Sequence, residues 1–218
     1  MEFFIYCLLG ITSIVALTFI VERGIALRWR HVVPPEVEAA VESCQSAGDV
    51  PMLRRVCQQH DSTISRLLLI ASQHLDWPKD EVVGAVQTRA RNEITRLERG
   101  LVVLEIAVGI APLLGLVGTI VGMMTLFADI GRSGLNEAAK LAQGIAYILQ
   151  ATLGGLLIAI PSLIAWSYYT KKIETIAVEM ETLCDDFIRR QYRQTAGEER
   201  ADAARPVTRQ QKPEATLS

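Results

Sequence analysis

Residues 101–128, LVVLEIAVGIAPLLGLVGTIVGMMTLFA, and residues 141–170, LAQGIAYILQATLGGLLIAIPSLIAWSYYT, carry a single charged side chain between them, Glu105. Helices of these lengths would extend about 42 and 45 Å, more than the ~30 Å hydrocarbon layer of a bilayer, so each can cross a membrane with the surplus tilted or protruding into water. A further run without charge, Phe3 to Val21, has 19 residues. It would span about 28 Å. Its flank carries Glu2 instead of a positive cluster, and no small-residue cleavage pattern follows it, so it reads as a span and not as a removable leader. Half of the 218 residues are apolar and the formal net charge is −2, which excludes a disordered chain, a collagen-like repeat and a basic nucleic-acid binder. The expectation is an all-α membrane protein with three transmembrane helices.

Lys and Arg set the orientation. Residues 23–100 hold 11 of them, beginning with Arg23, Arg28 and Arg30, and the segment after Thr170 holds nine, beginning with Lys171 and Lys172, whereas the connection between the last two spans has only Arg132 and Lys140. The positive-inside rule therefore places the N-terminus and the short connection outside and both larger segments in the cytoplasm. Of the cysteines, Cys44, Cys57 and Cys184 fall on the reducing side, so no disulfide is expected. Cys57 and His60 have the spacing of half a zinc site but lack a second pair. Neither a metal nor another cofactor is expected.

Turn and capping signals divide the cytoplasmic part. Pro34-Pro35 ends what continues from the first span, Glu36 to Ser46 reads as a short helix, Asp49 with Pro51 starts another, and Asp61 is positioned to cap a third. These three short helices suggest a satellite bundle. Beyond Pro78, Val83, Val86, Ala90, Ile94, Leu97 and Leu101 recur at helical spacing and lead into the second span without a stop signal. Ile173, Ile176, Met180, Leu183 and Phe187 continue the third span in the same way. Thus residues 1–22 read as the first transmembrane helix, 23–100 as a cytoplasmic helical domain and 101–128 as the second transmembrane helix. Residues 129–140 read as a periplasmic loop, 141–170 as the third transmembrane helix, 171–194 as a cytoplasmic helical extension and 195–218 as a disordered tail.

Within the spans the informative residues are small or polar. Ala111, Gly115, Gly118 and Gly122 form a strip that admits a close neighbouring helix, with Pro112 and Thr119 beside it. In the third span Gln143, Tyr147, Gln150 and Gly154 share one face at 100° per residue, while Thr152 and Ala159 lie roughly opposite and Ser162 to the side. A spanning helix polar on two faces should have protein or water on both, either as interhelical hydrogen bonding or as a polar path. Glu105 is the only acidic side chain in the three runs and lies near the cytoplasmic end of its span.

Ala111 to Met123, APLLGLVGTIVGM, resembles the second-span motif of the MotA/TolQ/ExbB proton-channel family. LAQGIA at 141–146, followed by Ala151-Thr152, Gly155-Leu156 and Ala159-Ile160-Pro161, is similar to its third-span motif, and Glu22-Arg23 is a weaker match. With three spans in place of the four of the flagellar stators, the chain resembles the ExbB/TolQ-like branch. The resemblance implies a non-enzymatic subunit of the bacterial inner membrane that forms a homopentamer around transmembrane helices of an ExbD/TolR-like single-span partner bearing a membrane aspartate. Proton flow through such a complex does work on a TonB- or TolA-like protein, in outer-membrane transport or envelope maintenance. No nucleic acid is involved, and lipid surrounds the ring, with the first span outermost. The threonines matching Thr119 and Thr152 line the family's pore. Pro112, Gly115, Gly118, Gly122, Gln143, Tyr147, Gln150, Pro161 and Ser162 are then helix-packing or interhelical polar positions.

One departure stands out: the family usually has a glutamate after the Gly-Ile-Ala of its third span, and here Tyr147 stands there. A phenol, with a reference pKa near ~10, cannot exchange a proton at neutral pH as a carboxylate does. Any mid-membrane carboxylate must come from a partner, or the chain is a non-conducting oligomeric scaffold of the same fold. An enzyme is disfavoured, since HExxH, GxSxG and paired intramembrane aspartates are all missing.

Overall fold

The structure is a computed structural model that describes residues 2–133 and 138–203. Among them there are helices and no strands: α1 (Glu2–Ala26), α2 (Trp29–Val32), α3 (Pro35–Ser43), α4 (Val50–Gln59), α5 (Thr63–Gln73), α6 (Lys79–Glu98), α7 (Leu101–Ser133) and α8 (Ala138–Ala203). Three of these, α1, α7 and α8, are long and apolar enough to cross a membrane. They pack side by side, α1 against both of the others, and leave most of their large apolar side chains exposed, Phe3, Ile14, Met124 and Ile164 among them. Such an outward apolar surface suits lipid and neighbouring protein and would be unsuitable for water.

The remaining helices form a head at one end. Its core joins Val37 and Val41 of α3, Leu53 and Cys57 of α4, Ile64, Leu67 and Leu68 of α5, Val82 and Val86 of α6, and Ile176, Met180 and Phe187 of α8. This corrects the expectation of a separate satellite bundle. The short helices cannot bury their apolar faces on each other alone, and the stripe that α8 carries down from the membrane completes their core. Ile176 is 1% exposed at its centre. Ile176→Asp is therefore expected to cost upwards of about 3 kcal/mol by burying an unpaired charge. Thermal unfolding in detergent, followed by fluorescence-detected size exclusion, checks this.

Several local signals resolve differently from expectation. The cap of α5 is Ser62, whose hydroxyl accepts from the Ser65 amide, while the neighbouring Asp61 pairs with Arg66 at 2.5 Å. The carboxylate of Asp49 turns back to the amides of Gln45 and Ser46 and does not cap α4. Both membrane-side boundaries extend: α7 runs to Ser133 and α8 starts at Ala138, so most of the expected loop 129–140 is helical. Likewise α8 continues to Ala203, past the expected end at 194, over a segment with three alanines and two glutamates, residues of high helix propensity. The rest of the expected tail, 204–218, lies outside the described residues.

The path from head to second span is interrupted where the sequence shows no stop. α6 ends at Glu98 and α7 begins at Leu101, with Arg99 and Gly100 between them. The interruption frees the Leu97 carbonyl, and Arg23 from the end of α1 donates to it at 3.2 Å while pairing with Glu22 at 2.9 Å. A Cβ at Gly100 would run into the guanidinium of Arg23, so a larger residue here would push that side chain off the joint. On the other side of α1, the Tyr169 hydroxyl of α8 donates to the Ile20 carbonyl at 2.8 Å. The last turns of α1 are thus fastened to the end of α6 and to α8 where membrane part and head meet.

In the head, Glu93 is 2% exposed and faces Arg66 at 2.9 Å and Arg89 at 3.0 Å, with Arg96 at 3.6 Å. A lone buried carboxylate would be costly, and the three guanidinia compensate it while tying α6 to α5. Cys57 is also buried, and desolvation pushes its thiol up to about 11. At pH 8 it is un-ionised, so iodoacetamide should leave Cys57 unmodified in the folded protein and alkylate it after denaturation, as read by peptide mass mapping.

Candidate functional site

The site is built on the antiparallel pair α7 and α8, whose backbones touch. A Cβ at Gly155 would collide with the Ala111 carbonyl, and one at Gly115 would come within 2.9 Å of the Ala151 carbonyl and the Thr152 Cα. Along the same seam Gly118 abuts the Ala151 methyl, Gly122 abuts Ile148 and Gly144 abuts Leu126. The small side chains of α7 are therefore spent on α8 of the same chain. Gly154, by contrast, has open space where a side chain would go.

This close approach brings the two threonines to one level. Thr152 Oγ1 donates across the seam to the Gly115 carbonyl at 3.3 Å, and Thr119 Oγ1 donates to the next carbonyl, that of Leu116, at 2.7 Å. Both side chains are only partly covered. Each hydroxyl uses its proton on a helix carbonyl and keeps oxygen lone pairs to accept a bond from water or from a visiting acid. Two such oxygens beside adjacent carbonyls make a polar station in otherwise apolar helices.

The other sequence-selected residues flank that station. Gln143 and Gln150 are exposed and lie on one side of the α8 seam, with Thr152 on the other. Tyr147 is 53% exposed and packs its ring against Tyr6 of α1, centroids 6.3 Å apart. It is therefore directed towards α1 and away from the threonine pair. Ser162 is buried and donates to the Ile158 carbonyl of its own helix at 2.8 Å. Thr125 bonds back to α7 in the same manner, reaching the Gly122 carbonyl at 2.8 Å. Pro112 and Pro161 sit within α7 and α8, where each removes the amide that would have bonded the carbonyl four residues earlier, at Val108 and Leu157.

Residues 59–182, more than half the chain and inclusive of α7 and the membrane half of α8, match the profile of the "MotA/TolQ/ExbB proton channel family". The chain belongs to this family. Among individual proteins it is similar to an ExbB-like biopolymer transport protein of Synechocystis, 32% identical over 71% of this chain and 62% of that protein. It is also similar to the biopolymer transport protein ExbB of Neisseria meningitidis, 25% identical over 84% of this chain and 88% of that protein. A third is ExbB of Helicobacter pylori, 37% identical over 37% of this chain and 56% of that protein. The chain thus spans from about two-fifths to nine-tenths of the length of the curated relatives it matches. Family and fold together make it an all-α, multi-pass membrane protein of the ExbB-like kind.

Proposed function

We propose that the chain is the channel subunit of a proton-driven machine in the bacterial inner membrane. A homopentamer encloses transmembrane helices of an ExbD/TolR-like single-span partner, and proton flow moves one against the other to do work on a TonB- or TolA-like protein. The head is cytoplasmic and the α7–α8 turn periplasmic, in accord with the distribution of Lys and Arg. The observation that carries this reading is the paired station of Thr119 and Thr152 on the carbonyls of Leu116 and Gly115. A hydroxyl oxygen can hydrogen-bond a carboxyl group in either protonation state, which suits a site where a partner's aspartate loads and unloads.

The test is reconstitution. Proteoliposomes holding the chain and its partner should take up protons down an imposed gradient. The chain alone, or the complex with the partner's aspartate changed to asparagine, should not. Native mass spectrometry of the extracted complex should give five copies of the chain. Uptake by the chain alone at the rate of the complex would overturn the reading.

A second reading, the non-conducting scaffold, draws on the placement of Tyr147, whose ring packs at a tilt against Tyr6 where the family resemblance calls for a glutamate. It expects the same pentamer and no partner-dependent uptake.

A further inference from the structure

We infer that Glu105 is a proton relay on the path between the threonine station and the head end of the membrane helices. The inference rests on the channel reading above and adds a residue to it. Glu105 is exposed on α7 and, among the described residues, has no ion-pair or hydrogen-bond partner. Its neighbours Leu104 and Ala107 are buried, 0% and 4% exposed, in the packing between α7, α1 and α8. The carboxylate is therefore held on a fixed part of the helix, one to two turns past Gly100, facing away from the helices of its own chain. An unpaired carboxylate in a membrane helix is expensive, and it is kept where it meets water or a proton path.

Helix geometry connects it to the station. At 100° per residue Pro112 lies within about 20° of Glu105 and Thr119 within about 40°, whereas the seam residues Gly115 and Gly122 are turned some 80–100° to one side. One face of α7 thus carries Glu105, Pro112 and Thr119, bordered by the Val108 carbonyl that Pro112 leaves free. The carboxylate and Thr119 are about 21 Å apart along the axis, too far for direct transfer, so water on this face must bridge them.

The step balances simply. A proton leaves the partner's aspartic acid, passes through bridging water and is bound by a Glu105 oxygen, leaving aspartate and glutamic acid. Glu105 then gives it to water at the head end and returns to carboxylate. Tyr147, directed at Tyr6, has no part in this route.

The experiment compares proton uptake by proteoliposomes of the wild-type complex with Glu105→Gln, Glu105→Asp and the partner-aspartate variant, with oligomeric state measured for each. Glu105→Gln should lower uptake by about tenfold or more while leaving the pentamer intact, and Glu105→Asp should restore most of it. Dicyclohexylcarbodiimide, which modifies protonated carboxyls in apolar surroundings, is a probe requiring no substitution: it should label Glu105 in the wild-type ring and block uptake. Full uptake by Glu105→Gln, or carbodiimide that blocks nothing and leaves Glu105 unlabelled, overturns the relay while the channel reading stands. A wild-type complex that takes up no protons overturns the channel reading and the relay with it.

Discussion

Gly155→Val is expected to destabilise the folded protomer severely. The added Cβ would run into the Ala111 carbonyl and the Gly115 Cα, which are backbone atoms and cannot rotate away. The two helices must then separate along the seam, losing the packing of Gly115, Gly118 and Gly122 on α8 and the Thr152 bond to Gly115. Overpacking of this kind costs about 1–3 kcal/mol, or more when backbone must move. The loss falls on the most extensive helix contact among the described residues. Gly154→Val, one residue away with nothing near its Cβ position, is the control: it should leave the protomer folded, and any defect in assembly would mean that this face meets another subunit. Size exclusion and thermal unfolding in detergent report both. A Gly155→Val protein that elutes and melts as the wild type would contradict the packing described.

The second large effect is functional. On the proposed channel function, Thr119→Val and Thr152→Val, which keep side-chain shape and remove the hydroxyl, should each reduce partner-dependent proton uptake by about tenfold or more while leaving the protomer folded. The two should differ in stability. Thr152 bonds across the seam, and its loss should cost about 0.6 kcal/mol, a typical interhelical value in membranes. Thr119 bonds within its own helix, so its removal should leave the melting temperature nearly unchanged. Tyr147→Phe keeps the ring against Tyr6 and should be the mildest of the three. Unaltered uptake in both valine variants would remove the threonines from the proton path.

The three long helices and the small-residue strip could be read from the chain because bilayer thickness and close helix approach each impose a local requirement: a length of uncharged residues, a glycine every turn. The head was less legible. Glu93 falls within about 20° of Val86 on the helical wheel, at the edge of the apolar stripe, and its charge is accommodated there because Arg66, 27 residues earlier, reaches it from another helix. Beside the interruption at Arg99–Gly100, the Leu97 carbonyl is bonded by Arg23, 74 residues from it, a partner that no window along the sequence contains. The apparent independence of α3, α4 and α5 had the same cause, since their core is closed by α8 more than a hundred residues later. In the site, helical spacing separated the faces of Tyr147 and Thr152, but that Thr152 would reach a carbonyl of α7 and Tyr147 a ring of α1 depends on which way α8 is turned.

α8 passes from membrane to head as one helix of 66 residues, whereas the parallel route through α6 and α7 is jointed. At 1.5 Å per residue it is a rod of about 99 Å, of which roughly half lies beyond Thr170. A rod amplifies rotation with distance: a tilt of 5° about a pivot at Thr170 displaces its far end by about 4 Å, more than a hydrogen-bond length. A small lean within the bilayer is therefore legible at the distal tip of the head, and the joint at Arg99–Gly100 is where the neighbouring arm can yield to it.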